Sequence, residues 1–501
     1  MDFASPLLIG DLIRRNARAV PGRAAASLEG RVLSHAELDL AANRIGWALR
    51  EQGLGCGDRL VAWVPTCLEQ LALFAGAAKL GAVFAPIDAR LGAEEALRVA
   101  SIARPRLLVA DASRLEASQG VADALGAGVA ELGRIDGEPN ERALLHPRRR
   151  ADELNEAKLR ETDPHVMFFT SGSTGRSKGV VLSHRANYLR SFQGVFRDVP
   201  EISVCMFPLF HMAGFTLALS AWQTRGEIAL VPDASAEAIL EAVERRRANR
   251  LYLIPSIWQR ILSADRRRWD ASSLRELDTG TSAVAIEMIR ALKDAFPGST
   301  TRVYYGSTEC GSAAALPDAD VLRKPGSVGP TSPGVDLRLA GSGEILVRSA
   351  YLMDGYFDDP VATDAALRDG WFHTGDLGDL DDEGYLQVVG RIKEVIRTGG
   401  ESVAPSEVES ALASHPSVAE VAVVGVTDAQ WGEIVCAVVV PAPGAAPTLP
   451  ELQKHCEGQI AGFKKPRRLE LVQALPRTPA TGQVQRTLLV QQIAPRTRRD
   501  G

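Results

Sequence analysis

Cysteine is scarce and scattered: Cys56, Cys67, Cys205, Cys310, Cys436 and Cys456 are the six in a chain of 501 residues, with no C-x-x-C pair. That spacing excludes a zinc site of paired thiolates and a disulfide framework, and it suits a reducing cytoplasm. A basic excess is also missing, since 57 Lys and Arg stand against 62 Asp and Glu for a net charge of -5, so no nucleic acid partner is expected. The arginine runs at 148–150, 245–247 and 266–268 are read as solvated faces. Long apolar runs are absent too. The richest stretch, 71–87, contains Lys79 and several glycines and alanines and falls short of a membrane span, so no integral membrane association is expected. The N-terminal M-D-F-A-S-P lacks a basic region, and Gly10 and Asp11 cut short the apolar residues 7–9, which argues against a secretion signal. The terminal R-R-D-G is neither a prenylation box nor a peroxisomal tripeptide, and no repeat occurs at solenoid periods.

What remains is an ordinary globular composition, 46% apolar and 24% charged, in a chain long enough for one large domain and a small one. Helical spacing over 36–50, with Ser34 and Glu37 as a capping box, is followed by strand-like runs at 59–64, 82–87 and 107–110 around a helix at 69–80. The alternation resumes with strands at 228–231 and 251–254 and helices at 236–247 and 286–295. It predicts an α/β fold with largely buried sheets. Near residue 390 the composition changes, and beyond it helices at 406–413 and 449–458 and strands at 418–426 and 434–440 suffice for a separate small α+β domain.

Residues 170–178 read T-S-G-S-T-G-R-S-K between the apolar runs 166–169 and 179–182. Two glycines free the backbone so that successive N–H groups turn toward one anion, and three serines, two threonines, Arg176 and Lys178 add donors and charge. The loop predicts a nucleoside triphosphate. It is not a Walker A loop, because Lys178 is followed by Gly179 and a strand-like run rather than by Ser or Thr and a helix. A Ser/Gly linker is the plain alternative, but linkers are seldom bracketed by two strands.

Two further segments carry oxygen ligands. In Tyr305-Gly306-Ser307-Thr308-Glu309 a hydroxyl stands beside a carboxylate suited to a hard cation such as Mg²⁺, although a glutamate after a turn is commonly just a solvated or capping group. In Thr374-Gly375-Asp376 a carboxylate follows a glycine, able to accept from both hydroxyls of a ribose or to close an Asx turn.

Taken together and in order, these segments resemble the adenylate-forming enzymes, specifically the acyl- and aryl-CoA ligases. Residues 170–178 are similar to their pyrophosphate loop, 305–309 to their Y-G-x-T-E motif, 374–376 to their ribose-binding T-G-D, and 390–400 to their interdomain hinge and glycine turn. The resemblance implies an N-terminal AMP-binding domain over 1–391 and a mobile C-terminal domain over 392–501 that pivots at Lys393. It implies ATP, Mg²⁺ and coenzyme A as cofactors, a carboxylic acid substrate, adenylation of that acid and then transfer to the thiol. A homodimer is kept open as the assembly.

Residue by residue, the resemblance places Thr170, Ser171, Gly172, Ser173, Thr174, Gly175 and Lys178 on the phosphates. Thr308 joins them, Glu309 holds Mg²⁺, and Tyr305 with Gly306 and Gly280-Thr281-Ser282 faces the adenine and acyl group. Asp376 and Arg391 go to the ribose or phosphates, Gly399 and Gly400 to the thioester site, and Trp431, Phe463 and Lys465 to the coenzyme A nucleotide. A tryptophan such as Trp431 is otherwise a half-buried packing residue, and the Lys464-Lys465 pair a solvated charge. His211 lies beside the carboxylate pocket, in a segment where amino-acid-activating relatives carry an aspartate; F-H-M-A stands here, which disfavours an amino acid. Tyr304 and Thr281 are bulky for their positions and imply a short pocket, for short or single-ring acids, unless Tyr304 turns into the core.

The chain departs from the family's C-terminal P-x-T-x-x-G-K, because Gln483 stands where the lysine that reaches the α-phosphate belongs. An amide donates hydrogen bonds but does not offset developing charge. Arg477 and Arg486 are nearby cations able to substitute. The departure keeps two alternatives in view, a nucleotide-binding scaffold impaired in adenylation and a ligase that delivers its acyl group to a carrier protein.

Overall fold

The computed structural model describes residues 6–136, 140, 143–171, 177–192, 198–282, 284–428, 430–478 and 482–493. The chain divides into two compact units, Met1–Gly326 with Thr331–Asp336 and Val347–Phe372, and Ser327–Pro330 with Leu337–Leu346 and His373–Gly501.

The first unit holds two sheets. In one, the parallel strands Thr300–Ser307, Glu276–Gly280, Arg250–Tyr252, Ile202–Cys205, Glu227–Leu230 and Ala24–Leu28 lie side by side, and antiparallel Gly311–Leu316 and Arg31–Ser34 close its two edges. The other runs Gly355–Tyr356, Ser177–Ser183, Pro164–Ser171, Val83–Pro86, Arg59–Trp63, Leu107–Ala110, Gly128–Glu131, and its last five strands are parallel. Parallel strands covered on both faces read as continuous apolar runs, which is why 59–64, 82–87 and 107–110 were legible as strands. The strand expected over 251–254 stops at Tyr252, because Pro255 starts the helix Pro255–Ser263.

The apolar stretch at 71–87 becomes the helix Leu68–Leu80, buried on every side, followed by a central strand. Its polar residues are all engaged. Lys79 Nζ contacts Asp39 at 2.5 Å and Asn43 at 2.8 Å, Glu69 takes Arg31 at 2.6 Å, and Gln70 donates to the Leu209 carbonyl at 3.1 Å. The preceding helix, His35–Glu51, starts on the expected Ser34–Glu37 capping box. Among the described residues no helix is long and apolar enough to cross a membrane.

The second unit carries an antiparallel pair, Trp371–Leu380 with Leu386–Arg391, and a five-stranded sheet. In that sheet Val418–Asp428 and Gly432–Pro441 alternate: Val423, Val435, Ala437 and Val439 face the helices Pro405–Ala413 and Leu449–His455, while Ala422, Val424, Cys436 and Val438 face Arg486–Ile493. Each face has its own apolar core, as an independent α+β unit requires.

Histidine burial gives the first unit an acid-sensitive core. His165 and His184 stack with ring centroids 4.6 Å apart, and His165 lies 4.7 Å from Phe74. Burial pushes His184 down to about 3, His35 to about 4, and His165 well below the ordinary value. An unfolded histidine binds its proton near pH 6.5 and these do not, so their stabilising contribution is complete above about pH 6.5 and is lost as the pH falls below it. Differential scanning fluorimetry between pH 7 and pH 5 should show the melting temperature dropping on the order of 10 °C. His184→Gln should flatten that slope, and an equal slope in the variant would exclude His184 as a source.

Candidate active site

Parallel sheets offer ligands a crevice at the carboxyl ends of their strands. In the eight-stranded sheet four neighbouring strands end together, and residues singled out in the sequence lie at or after the ends of three of them. Ile202–Cys205 leads to Phe207 and His211, Arg250–Tyr252 ends on Tyr252, Glu276–Gly280 runs into Thr281 and Ser282, and Thr300–Ser307 contains Tyr304, Tyr305 and Gly306 and runs into Thr308 and Glu309. Gly280 pairs in register with Tyr304. A side chain at 280 would bring its β-carbon to 2.4 Å from the Tyr304 carbonyl oxygen, so only glycine permits this close approach. Thr281 follows at φ +69°, a left-handed conformation that is strained for a β-branched residue.

His211 caps the helix Met212–Gln223, its Nδ1 accepting from the Ala213 amide at 3.2 Å. Burial pushes this imidazole down to about 4. The positive end of the helix opposes a second charge there as well, so His211 is a neutral wall and hydrogen-bond acceptor rather than a proton carrier near pH 7.

The hairpin of Pro164–Ser171 and Ser177–Ser183 belongs to the seven-stranded sheet, where Thr170 pairs with Lys178 and Ser171 with Ser177. Gly172, Ser173, Thr174 and Gly175 lie outside the described residues. Lys178 Nζ sits 4.3 Å from the centre of the Tyr356 ring, and the Tyr356 hydroxyl donates to Glu309 Oε1 at 3.1 Å. The strand Gly355–Tyr356 pairs with Val180 and Val181 of the same hairpin. Tyr356 thus connects the loop's lysine to the motif's carboxylate. Arg190, from the helix His184–Arg190, is buried and donates to the carbonyls of Thr308 at 2.9 Å and Tyr351 at 2.6 Å. Burial pushes its guanidinium down to about 10, still cationic at neutral pH.

Neither Tyr356 nor Arg190 was picked out from sequence. Each acts through a long-range pairing, and neither sits in a short motif that would have marked it. Among the described residues no three His, Cys, Asp or Glu side chains cluster as a metal cage. Mg²⁺ needs none, since it binds through one or two carboxylates together with substrate phosphates, and Glu309 offers such a carboxylate.

In the second unit, Asp376 and Arg391 face each other across the antiparallel pair, with Arg391 Nε 3.1 Å from Asp376 Oδ1. Thr374 Oγ1 donates to the Ile345 carbonyl at 2.8 Å and accepts from the Asp376 amide at 3.0 Å, while the Gly375 amide reaches Glu344 at 3.0 Å. The T-G-D segment is therefore held before any ligand arrives. Lys393 is exposed in the single turn Ile392–Glu394.

The turn at Gly399 and Gly400 rests on Trp431: the Gly399 amide donates to the Trp431 carbonyl at 2.9 Å, and a β-carbon on Gly399, at φ +59°, would lie 2.6 Å from the indole. Trp431 and Phe463 are both 36% exposed, each with part of its ring open to solvent. Arg467 covers Trp431 at 3.7 Å, Lys464 lies 5.7 Å from Phe463, and Lys465 pairs with Glu457 at 3.3 Å. Gln483 closes a backbone loop with Thr478, its amide 3.1 Å from Thr478 Oγ1 and its carbonyl accepting from the Thr478 amide at 2.8 Å.

The profile of the AMP-binding enzyme family matches residues 13–357, and that of the AMP-binding enzyme C-terminal domain matches residues 407–481. The chain belongs to the AMP-binding enzyme family. It is 35% identical to an indoleacetate–CoA ligase of Aromatoleum aromaticum, covering 98% of this chain and 99% of that one. It is 33% identical to a feruloyl-CoA synthase of an Amycolatopsis species, over 93% and 95%. The crystal structure of ATP-bound MatB from Rhodopseudomonas palustris superposes with a TM-score of 0.87 at 30% identity, over 96% of this chain and 98% of that one.

Tyr356→Phe keeps the ring against Lys178 and removes only the donor to Glu309. ATP turnover at limiting Mg²⁺ should fall roughly tenfold in kcat/KM, the worth of one hydrogen bond to a charged group. Wild-type kinetics in this variant, read by pyrophosphate release, would remove the hydroxyl from the site.

Proposed function

We propose that this AMP-binding enzyme activates a short-chain or single-ring carboxylic acid and transfers it to free coenzyme A. The reaction class is that of an AMP-forming acid–thiol ligase. The observation that carries the reading is the convergence of Glu309, Tyr356 and Lys178, drawn from two sheets onto one point beside the strand ends. A carboxylate oxygen of the acid attacks the α-phosphorus of ATP and the bond to pyrophosphate breaks. The thiol sulfur then attacks the acyl carbonyl, loses its proton, and AMP departs.

The phosphate loop and Lys178 neutralise the leaving pyrophosphate, Thr308 bonds a phosphate, and Glu309 would hold Mg²⁺, which would supply further positive charge against the phosphates. Tyr305 and Gly280-Thr281-Ser282 flank the adenine, and Asp376 accepts from the ribose. His211 lines the acid's carboxylate. The open rings of Trp431 and Phe463 among Arg467, Lys464 and Lys465 suit a nucleotide bearing phosphates, which favours free coenzyme A over a carrier protein as acceptor. With 35% identity to a CoA ligase over nearly the full chain, a non-catalytic scaffold is not favoured. Free cysteines suit a cytoplasmic setting.

The cationic substitutes for the missing lysine are committed elsewhere. Arg477 Nη2 pairs with Glu420 at 2.6 Å, and Arg486 Nη2 binds Glu409 at 2.7 and 2.9 Å, with Glu394 3.3 Å from its Nε. Gln483→Lys should therefore speed acyl-adenylate formation by about a hundredfold, the scale of one transition-state contact, and leave thioester formation from supplied acyl-adenylate little changed. AMP release over a panel of carboxylic acids with ATP, Mg²⁺ and coenzyme A measures it. No AMP from any acid, in either protein, would overturn the ligase reading.

Lys393 is proposed as the pivot between a domain over 1–391 and one over 392–501. A pivot must change its backbone angles, and proline fixes φ while restricting the residue before it. Lys393→Pro should impair one half-reaction much more than the other. Equal loss of adenylation and thioester formation would indicate misfolding instead.

A further inference from the structure

Tyr252 and Tyr304 lie on the carboxyl ends of strands that flank Glu276–Gly280, their ring centroids 6.1 Å apart and edge to face. Phe207 continues the row at 5.5 Å from Tyr252, and His211 at 6.2 Å from Phe207. The Tyr252 hydroxyl stands over Gly280, 3.2 Å from where a β-carbon would be. Both tyrosines are half-buried. Buried phenols ordinarily find a partner, and the neighbouring Trp258 obeys that rule by donating to the Asp278 carbonyl at 3.1 Å. Neither tyrosine hydroxyl has a hydrogen-bond partner among the described residues.

The carboxylates of this region are bound by arginines. Asp278 is held by Arg250 Nε at 2.7 Å and Arg302 Nε at 2.8 Å, Glu201 receives Arg250 Nη1 at 3.0 Å, and Glu276 is bound by Arg302. Burial, reinforced by the negative charge of Asp278, pushes Tyr304 up to about 12 and raises Tyr252 as well, so both phenols keep their protons and remain donors.

We propose that the Tyr252 and Tyr304 hydroxyls recognise an oxygen substituent on the acid, remote from its carboxylate, so that the substrate is a hydroxylated or alkoxylated single-ring acid. This rests on the reading that the acid occupies the crevice at these strand ends. Stacked rings supply the apolar wall for the substrate ring, and two neutral donors supply what an unsubstituted ring leaves unpaired. A site built to bond a substrate oxygen discriminates far more strongly against its absence than an apolar slot does against an added group. Tyr304 thus sets the chemistry of the pocket as well as its length.

The test is kcat/KM from AMP release in three matched series: benzoate, phenylacetate and cinnamate, each paired with its 4-hydroxy and its 4-methoxy form. It is run with the full chain carrying Gln483→Lys, alone and with Tyr252→Phe or Tyr304→Phe. The expected result is a preference of about tenfold or more for one oxygenated series in the parent, collapsing toward parity in at least one phenylalanine variant. A ratio unchanged by both variants, or a parent preference for the unsubstituted acid in every pair, would overturn the proposal while turnover leaves the ligase reading intact. Absence of AMP with every acid would overturn both. Tyr→Phe preserves ring volume, and a purely structural effect would lower turnover of both members of a pair without moving their ratio.

Discussion

One buried guanidinium holds the first half of the site in place. Arg190 bonds the carbonyls of Thr308 and Tyr351, and so fixes the spacing between the motif that carries Glu309 and the segment that carries Tyr356. Its hydrogen bonds go to backbone carbonyls, not carboxylates, its Nε has none among the described residues, and it keeps its positive charge near neutral pH. Its burial costs desolvation, which lowers its proton affinity, and the carboxylates of Asp354 and Glu309 offset part of that cost. Replacing it by an apolar side chain would leave two carbonyls without a donor and let the two segments drift. The contact from Tyr356 to Glu309 rests also on the Met353 amide, which donates to the Glu309 carbonyl at 2.7 Å, and on the pairing of Tyr356 with Val180.

Backbone geometry constrains the site as strongly as charge does. At Gly280 the chain passes so close to Tyr304 that no side chain fits, and the next residue, Thr281, is held in a conformation costing about 1–3 kcal/mol. Strain of that size persists only where the surroundings impose it, and here the parallel pairing of Thr279 and Gly280 with Val303 and Tyr304 fixes the strand end. In the second unit the Gly399 turn and Trp431 form a comparable pair, with the indole lying where a β-carbon would be. Each unit therefore places a polar-lined turn against an aromatic ring, and neither arrangement tolerates a larger residue at the glycine.

The fold was largely readable because its strands are buried on both faces and its helices on one, so periodicity and apolar runs carry the information. The Ser34–Glu37 capping box, the strands at 59–64 and 107–110 and the C-terminal α+β unit follow directly from local pattern. The candidate site was legible only as residues in contiguous motifs, as at 305–309 and 374–376. It was not legible where residues act across the chain. Arg190 and Tyr356 look like surface-helix and turn residues in sequence, and only their pairing with elements more than a hundred residues away gives them a role. The pair Asp376 and Arg391 lies between these cases: both belong to recognised segments, but their meeting depends on the register of an antiparallel pair.

Charge placement decides what Gln483 means. Adenylation builds negative charge on the α-phosphate, and a donor acts there only if it is free to reach the phosphate when the charge appears. Arg486 is only 20% exposed and grips Glu409, itself largely buried, so withdrawing it would strand a carboxylate whose proton affinity burial already raises. Arg477 is more exposed, but it also braces its own loop by donating to the Gly482 carbonyl at 2.7 Å. Moving either arginine would cost an ion pair and a local hydrogen-bond set before any phosphate contact formed. Lysine at 483 would carry neither burden, because its neighbours already satisfy their backbone groups through Thr478. Position 483 is exposed, and this chain carries a neutral amide there.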